Sequence, residues 1–287
     1  MIALSKLTLL LVAFVPSQPA CCDTVGERLS LTVGQLVIPQ GFSAPDGAVQ
    51  LLVHFHGAPN VVEQSVAKVD GNCVIVNVTL NGFSGVYREK FLKPETFTRL
   101  LEETVEQLRQ RKIAEAPKIA RLTVSSFSAG FGAVRELLKA DEHYRRIDAL
   151  IMADSIYAGF VDDGKKTPTE IKRNVEPKHM EGFLRFARDA VDGKKTLVIS
   201  HCQLRPETYA STGETADYLL TKLGLDGERK PVNEDWAEGW RCLSRCDHEG
   251  LHVLSFSGET GTDHLQHLRN LHHWLRIADA NPKAGSK

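Results

Sequence analysis

Hydrophobic residues in this chain fall into short, β-branched runs separated by longer stretches in which they recur every three or four positions. The first kind of run argues strands and the second amphipathic helices. Strands are expected over Ala48–Phe55, Cys73–Leu80, Arg121–Ser125, Ala149–Ala153, Thr196–Ser200 and Leu251–Phe256, with one or two edge strands in Leu29–Ile38. Helices are expected over Pro94–Ile113, Met180–Val191, Thr212–Leu223 and His264–Ile277. In the first of these Phe97, Leu100, Leu101, Val105 and Leu108 make one stripe behind Pro94, a residue suited to a first turn. Strands alternating with helices of this length predict a largely parallel sheet wrapped on both faces. Two stretches lack such patterning, Tyr157–Lys178 and Asp226–Gly250, and are expected to wall or cover a pocket.

The first twenty residues follow another rule. Lys6 precedes an apolar run, Leu7–Val15, and Pro16–Ala20 ends on a small residue. That is the layout of a secretory signal peptide, too short to span a bilayer comfortably. Residues 1–20 are read as that signal and 21–287 as one α/β domain, exported from the cytoplasm; an uncleaved anchor is the alternative. No later segment is long and apolar enough to cross a membrane. Lys and Arg total 35 against 36 Asp and Glu, for a net charge of −1, so nothing favours nucleic acid or an anionic membrane as partner. Of the six cysteines, Cys242 and Cys246 are close enough in sequence to pair, or either could reach Cys202; the connectivity is open, and a free buried thiol is the alternative for Cys73.

The candidate chemistry begins where the strand Arg121–Ser125 runs into Ser126-Phe127-Ser128-Ala129-Gly130, followed at helical spacing by Phe131, Val134, Leu137 and Leu138. A strand ending on small-x-Ser-x-Gly and turning at once into a helix is a nucleophile-elbow pattern. Small residues flank the serine because the strand and helix backbones nearly touch there. A serine hydroxyl needs a base to take its proton. The loop Ser257–Asp263 after the last strand delivers His264, preferred over His267 one turn on. The base in turn needs an acceptor that fixes its tautomer. Asp154, at the end of a buried strand, is preferred, with Glu207 in reserve. Donors for an oxyanion are expected from the backbone N–H of Ala129 and from the loop His56-Gly57-Ala58, with Ala58 ahead of Gly57.

These segments together resemble the α/β-hydrolase superfamily: the strand before His56-Gly57, the elbow at Ser128, Asp154 at a strand end, and Asp263-His264 before the last helix. The likeness runs from about Leu29 to Leu275. It implies an α/β-hydrolase fold with an eight-stranded, mostly parallel twisted sheet, and an acyl-enzyme mechanism on an ester-like or amide-like bond. The chain departs from the family pattern twice: Ser126 replaces the first elbow glycine, and the acid comes one strand earlier than in many members. The expectation is a serine hydrolase of carboxylic esters acting on a small molecule, with no cofactor and no metal. A non-catalytic binding protein on this scaffold is the rival. Less favoured is a metal-dependent hydrolase using His54 and His56, with His201, Cys202 and His248 as further candidates.

Overall fold

Alternation within each strand divides the interior into two cores, one on either side of a sheet. The structure is a computed structural model that describes residues 26–69, 72–161, 173–237 and 239–280. Its ten strands are β1 Glu27–Ser30, β2 Gln35–Ile38, β3 Ala48–Phe55, β4 Cys73–Val78, β5 Lys118–Phe127, β6 Ala149–Ala153, β7 Thr196–His201, β8 Lys230–Ala237, β9 Trp240–His248 and β10 Leu251–Phe256. They form one sheet in the order β1-β2-β4-β3-β5-β6-β7-β10-β9-β8. The six central strands, β4 to β10 in that order, are parallel, and antiparallel strands finish both edges. The helices are α1 Pro59–Ala67, α2 Ser84–Phe91, α3 Pro94–Gln110, α4 Phe131–Leu137, α5 Asp141–Arg146, α6 Glu181–Val191, α7 Thr212–Leu223, α8 Gly261–Arg269 and α9 Leu271–Asp279.

Leu51, Val53, Leu150, Met152, Leu197 and Ile199 point to one core, shared with α3, α4, α6 and α7. Leu52, Ile151 and Val198 point to the other, shared with α1, α8 and α9. The period-two reversal of side chains makes both faces apolar at once, which is why these strands read as continuous hydrophobic runs. The second core is aromatic: Trp240 stacks on Phe256 with ring centroids 4.0 Å apart, and Trp274 Nε1 donates to His267 O at 2.9 Å.

The α/β-hydrolase fold expected from sequence is present, with three corrections. The sheet has ten strands rather than eight. The extra pair comes from Asp226–Gly250, which is no lid: it holds the hairpin β8–β9, turning near Gly239 at φ +71°. Lys230–Ala237 buries almost nothing, so its apolar signal was too weak to betray a strand. The expected closing helix is two helices, broken at Asn270, whose backbone N–H and side-chain amide both donate to Gln266 O. Finally, the pairing of Cys242 with Cys246 fails. Both lie on β9, about 13 Å apart along an extended strand, and a bulge sends them into opposite cores. Cys73, Cys202, Cys242 and Cys246 are all free thiols. The expected signal peptide, residues 1–20, lies outside the described residues.

From β3 the chain moves outward to β4 on one side and to β5 on the other. The carboxyl ends of β3 and β5 therefore flank the point where strand order reverses, the usual crevice for a ligand in an open α/β sheet.

Candidate active site

At the end of β5, Ser128 begins a single 3₁₀ turn, Ser128–Gly130, that runs straight into α4. Its φ is +48°, a left-handed conformation that costs a side-chain-bearing residue energy. Only five non-glycine residues among those described have positive φ, and three of them, His56, Ser128 and Asp154, follow β3, β5 and β6 at one end of the sheet. The elbow is seated by glycine. A Cβ on Gly130 would lie 2.2 Å from Phe55 O, and one on Gly132 would lie 2.1 Å from Ser84 O. Ser126, where the family pattern has glycine, is fully buried, and its hydroxyl pairs with Ser155 Oγ at 2.7 Å. Ser155 Oγ also contacts Ser128 O at 2.9 Å, tying the elbow to the loop that carries Asp154.

Asp154 and His264 come together from 110 residues apart: His264 Nδ1 lies 2.8 Å from Asp154 Oδ2. The carboxylate keeps 6 % of its side-chain surface exposed and the imidazole 15 %, so the carboxylate is sealed behind an imidazole that solvent can reach. Burial alone would raise the Asp154 pKa. The hydrogen bond from His264, the fields of His267 and His264 and the Cys202 thiol outweigh burial and hold it at about 2. An ionised Asp154 accepts only, so His264 Nδ1 carries the proton and leaves Nε2 as the basic nitrogen. Glu207 is exposed on the loop after β7 and is not the partner of His264.

His264 sits in the first turn of α8, where a capping box between Thr260 and Asp263 fixes the helix start. Its ring stacks on Phe127, the residue before the elbow serine, at 4.4 Å between centroids, and the other neighbour of Phe127 is the parallel ring of His56 at 6.2 Å. Among the described residues no hydrogen bond joins Ser128 Oγ to His264. Such contacts are commonly long without substrate and tighten on binding. His267 is a core residue: fully buried, its pKa pushed down to about 4 by burial, it meets Ser200 Oγ through Nδ1 at 2.9 Å.

The loop after β3 leaves the sheet beside the elbow, since Phe55 pairs in register with Ser126. Gly57, at φ +120°, is the only type of residue that fits: a Cβ would press on Leu268 at 2.8 Å. Ala58 caps α1, and Ala129 is second in the elbow turn; the first N–H groups of a helical turn have no partner within it. His54 is fixed at both nitrogens. Nε2 donates to His56 O at 2.7 Å and Nδ1 meets Ser125 Oγ at 2.7 Å, while burial pushes its pKa down to about 4. Neither nitrogen is left for a metal, and His56 turns its Nδ1 to Tyr87 Oη at 3.0 Å. The imagined His54–His56 metal centre is therefore not assembled. Among the described residues, the grouping compact enough for a cation is Asp154, Cys202 and His267, whose donor atoms lie within 4.8 Å. It shares its carboxylate with His264.

Ser128 and Ala129 open onto a cavity of about 470 Å³ whose walls include Phe131, Arg135, Tyr157 and Tyr209. Tyr157 also donates to the Asp154 carbonyl at 2.9 Å. Of the stretch expected to wall the pocket, Tyr157–Gly159 do so, and 162–172 fall outside the described residues. Sequence reasoning missed Phe127, Ser155 and Arg135, and weighed Cys202 only for a disulfide or a metal. Cys202 Sγ donates to the same Asp154 oxygen as His264, at 3.0 Å. Its place directly after β7, the strand beside that of Asp154, was the available signal.

No family model and no curated protein matches the chain. Among solved structures it is similar to a carboxyl esterase from the mycorrhizal fungus Tuber melanosporum, at 14 % identity over 93 % of this chain and 88 % of that one, TM-score 0.45. It is similar also to a poly(3-hydroxybutyrate) depolymerase from Bordetella parapertussis, at 14 % identity over 88 % of each chain, TM-score 0.47. A bacterial heroin esterase matches at 12 % identity over 92 % and 86 %, TM-score 0.46.

Proposed function

We propose that the protein is a serine hydrolase of carboxylic esters. The observation that carries this reading is the Asp154–His264 pair at 2.8 Å, set against the strained elbow of Ser128 through the Phe127 ring. In this reading Ser128 Oγ attacks the acyl carbon while His264 Nε2 takes the hydroxyl proton and passes it to the leaving alcohol. Asp154 stays ionised and stabilises the imidazolium. The N–H groups of Ala129 and Ala58 receive the developing oxyanion. Water, activated by the same imidazole, then releases the acid and restores the serine. The substrate is a small ester, because the cavity at Ser128 has room for a group of one or two rings' size.

Labelling by a fluorophosphonate, lost in Ser128→Ala, tests the reading against a non-catalytic binder on the same scaffold. A wild-type protein that neither labels nor cleaves short 4-nitrophenyl esters overturns it. We also propose export through removal of residues 1–20: Lys6, the apolar run Leu7–Val15 and the small Ala20 follow the signal-peptide layout, with Gln18 at the minus-three position departing from it. N-terminal sequencing of the cell-free protein reads this directly, and a start at Met1 rejects it.

A further inference from the structure

The cavity at Ser128 is not uniformly apolar. Phe131 and Arg135 are one turn apart on α4 and share a face, with the guanidinium carbon 5.0 Å from the Phe131 ring centre. Tyr157 and Tyr209 stand against this pair, their rings edge-on at 5.5 Å, and Phe131 meets Tyr157 edge-on at 5.3 Å. The result is a slot with aromatic walls and one cation in its lining. No carboxylate lines it among the described residues.

Arg135 is poorly matched for a purely structural arginine. Among the described residues it forms no salt bridge; its one acceptor is the neutral Tyr157 carbonyl, and its Nε is buried without a partner. Its neighbour Glu136 is already engaged by Lys139 at 2.8 Å. Burial, with Arg88 adding repulsion, brings the Arg135 pKa down to about 10, in spite of the field of Glu136. A guanidinium held half out of water with surplus donors gains most from an anion that reaches it.

The geometry points to an anion subsite: we propose that Arg135 receives an ionised carboxylate carried on a planar ring of the substrate. This rests on the ester-hydrolase reading for the reaction but not for the binding. Arg135 lies seven residues beyond Ser128, roughly 10 Å along the turn and helix, and its side chain leans back toward the helix start. A carboxylate about 6 Å from the scissile carbonyl, the breadth of one benzene ring, suits that separation. Aromatic walls hold the ring, and Arg135 fixes its far end.

Two matched pairs of esters test the proposal and identify which half of the substrate enters. Monomethyl terephthalate against methyl 4-toluate places the charge on the acid half, and 4-acetoxybenzoate against 4-tolyl acetate places it on the alcohol half. The expected result is a preference of tenfold or more in kcat/KM for the charged member of one pair. Arg135→Gln removes that preference mainly through KM and leaves turnover of the neutral member within about threefold; Arg135→Lys restores part of it. Equal losses for charged and neutral esters in Arg135→Gln mean that the arginine only supports the fold, and overturn the proposal. So does a wild-type enzyme indifferent to charge in both pairs. Calorimetric titration of terephthalate into Ser128→Ala separates this claim from the catalytic one. Binding that weakens tenfold in Ser128→Ala/Arg135→Gln supports the subsite even if no ester is cleaved, and absence of binding to Ser128→Ala rejects it.

Discussion

The serine and the histidine are held by opposite faces of the sheet and by opposite kinds of contact. On one face the elbow and α4 rest on backbone: Gly130 sits against Phe55 O and Gly132 against Ser84 O, with no room for a methyl group. On the other, α8 and His264 rest on a cushion of rings in which Trp240, Phe256, Trp274 and His267 pack edge to face and face to face. Backbone contact leaves no rotamer to adjust, so it sets the position of Ser128 rigidly. Ring packing spreads any adjustment over several side chains, so it sets His264 firmly but with some give. Asp154, at the end of β6 between the two layers, joins them by hydrogen-bonding His264 on one side and, through Ser155, the elbow carbonyl on the other.

The comparison can be broken first at the residues proposed to react. Ser128→Ala is expected to lower ester turnover by at least about 10⁴-fold with the far-UV circular dichroism unchanged. Asp154→Asn keeps a hydrogen bond but reverses which His264 tautomer is favoured, so kcat should fall by about 10²–10⁴ with little change in KM. Next come the two supports. Gly130→Ala should cost about 3 kcal/mol of stability or more, read from urea unfolding, and reduce kcat as well, because the elbow itself must move. Trp274→Ala should cost about 3–5 kcal/mol and Trp274→Phe far less, with kcat in the latter nearly kept. Should Trp274→Phe abolish activity while Gly130→Ala retains it, the contrast between rigid and yielding supports is wrong.

The smallest effect concerns pH. His54 and His267 are buried with pKa values pushed from 6.5 to about 4 by burial. The unfolded chain binds these protons first, so their contribution is whole above pH 6.5 and is lost as pH falls toward 4. Thermal unfolding followed at half-unit steps should show Tm dropping across that window. His54→Asn should flatten part of the slope; a Tm constant from pH 7 to 4 rejects the assignment.

Sequence alone determined the central strands, because a strand buried on both faces needs a mainly apolar run, and Ala48–Phe55, Ala149–Ala153 and Leu251–Phe256 fill their expected spans. It also marked the elbow, since only small residues tolerate the close approach of β5 and α4. The edge hairpin β8–β9 stayed hidden because an exposed strand carries charged and polar residues that read as loop. The hydrogen bond that joins Asp154 to His264, the free state of Cys242 and Cys246, and the place of Arg135 beside Tyr157 belonged to the tertiary structure. Those are contacts between residues distant in the chain or separated by a sheet, and local pattern records which side chains are buried but not which of them meet.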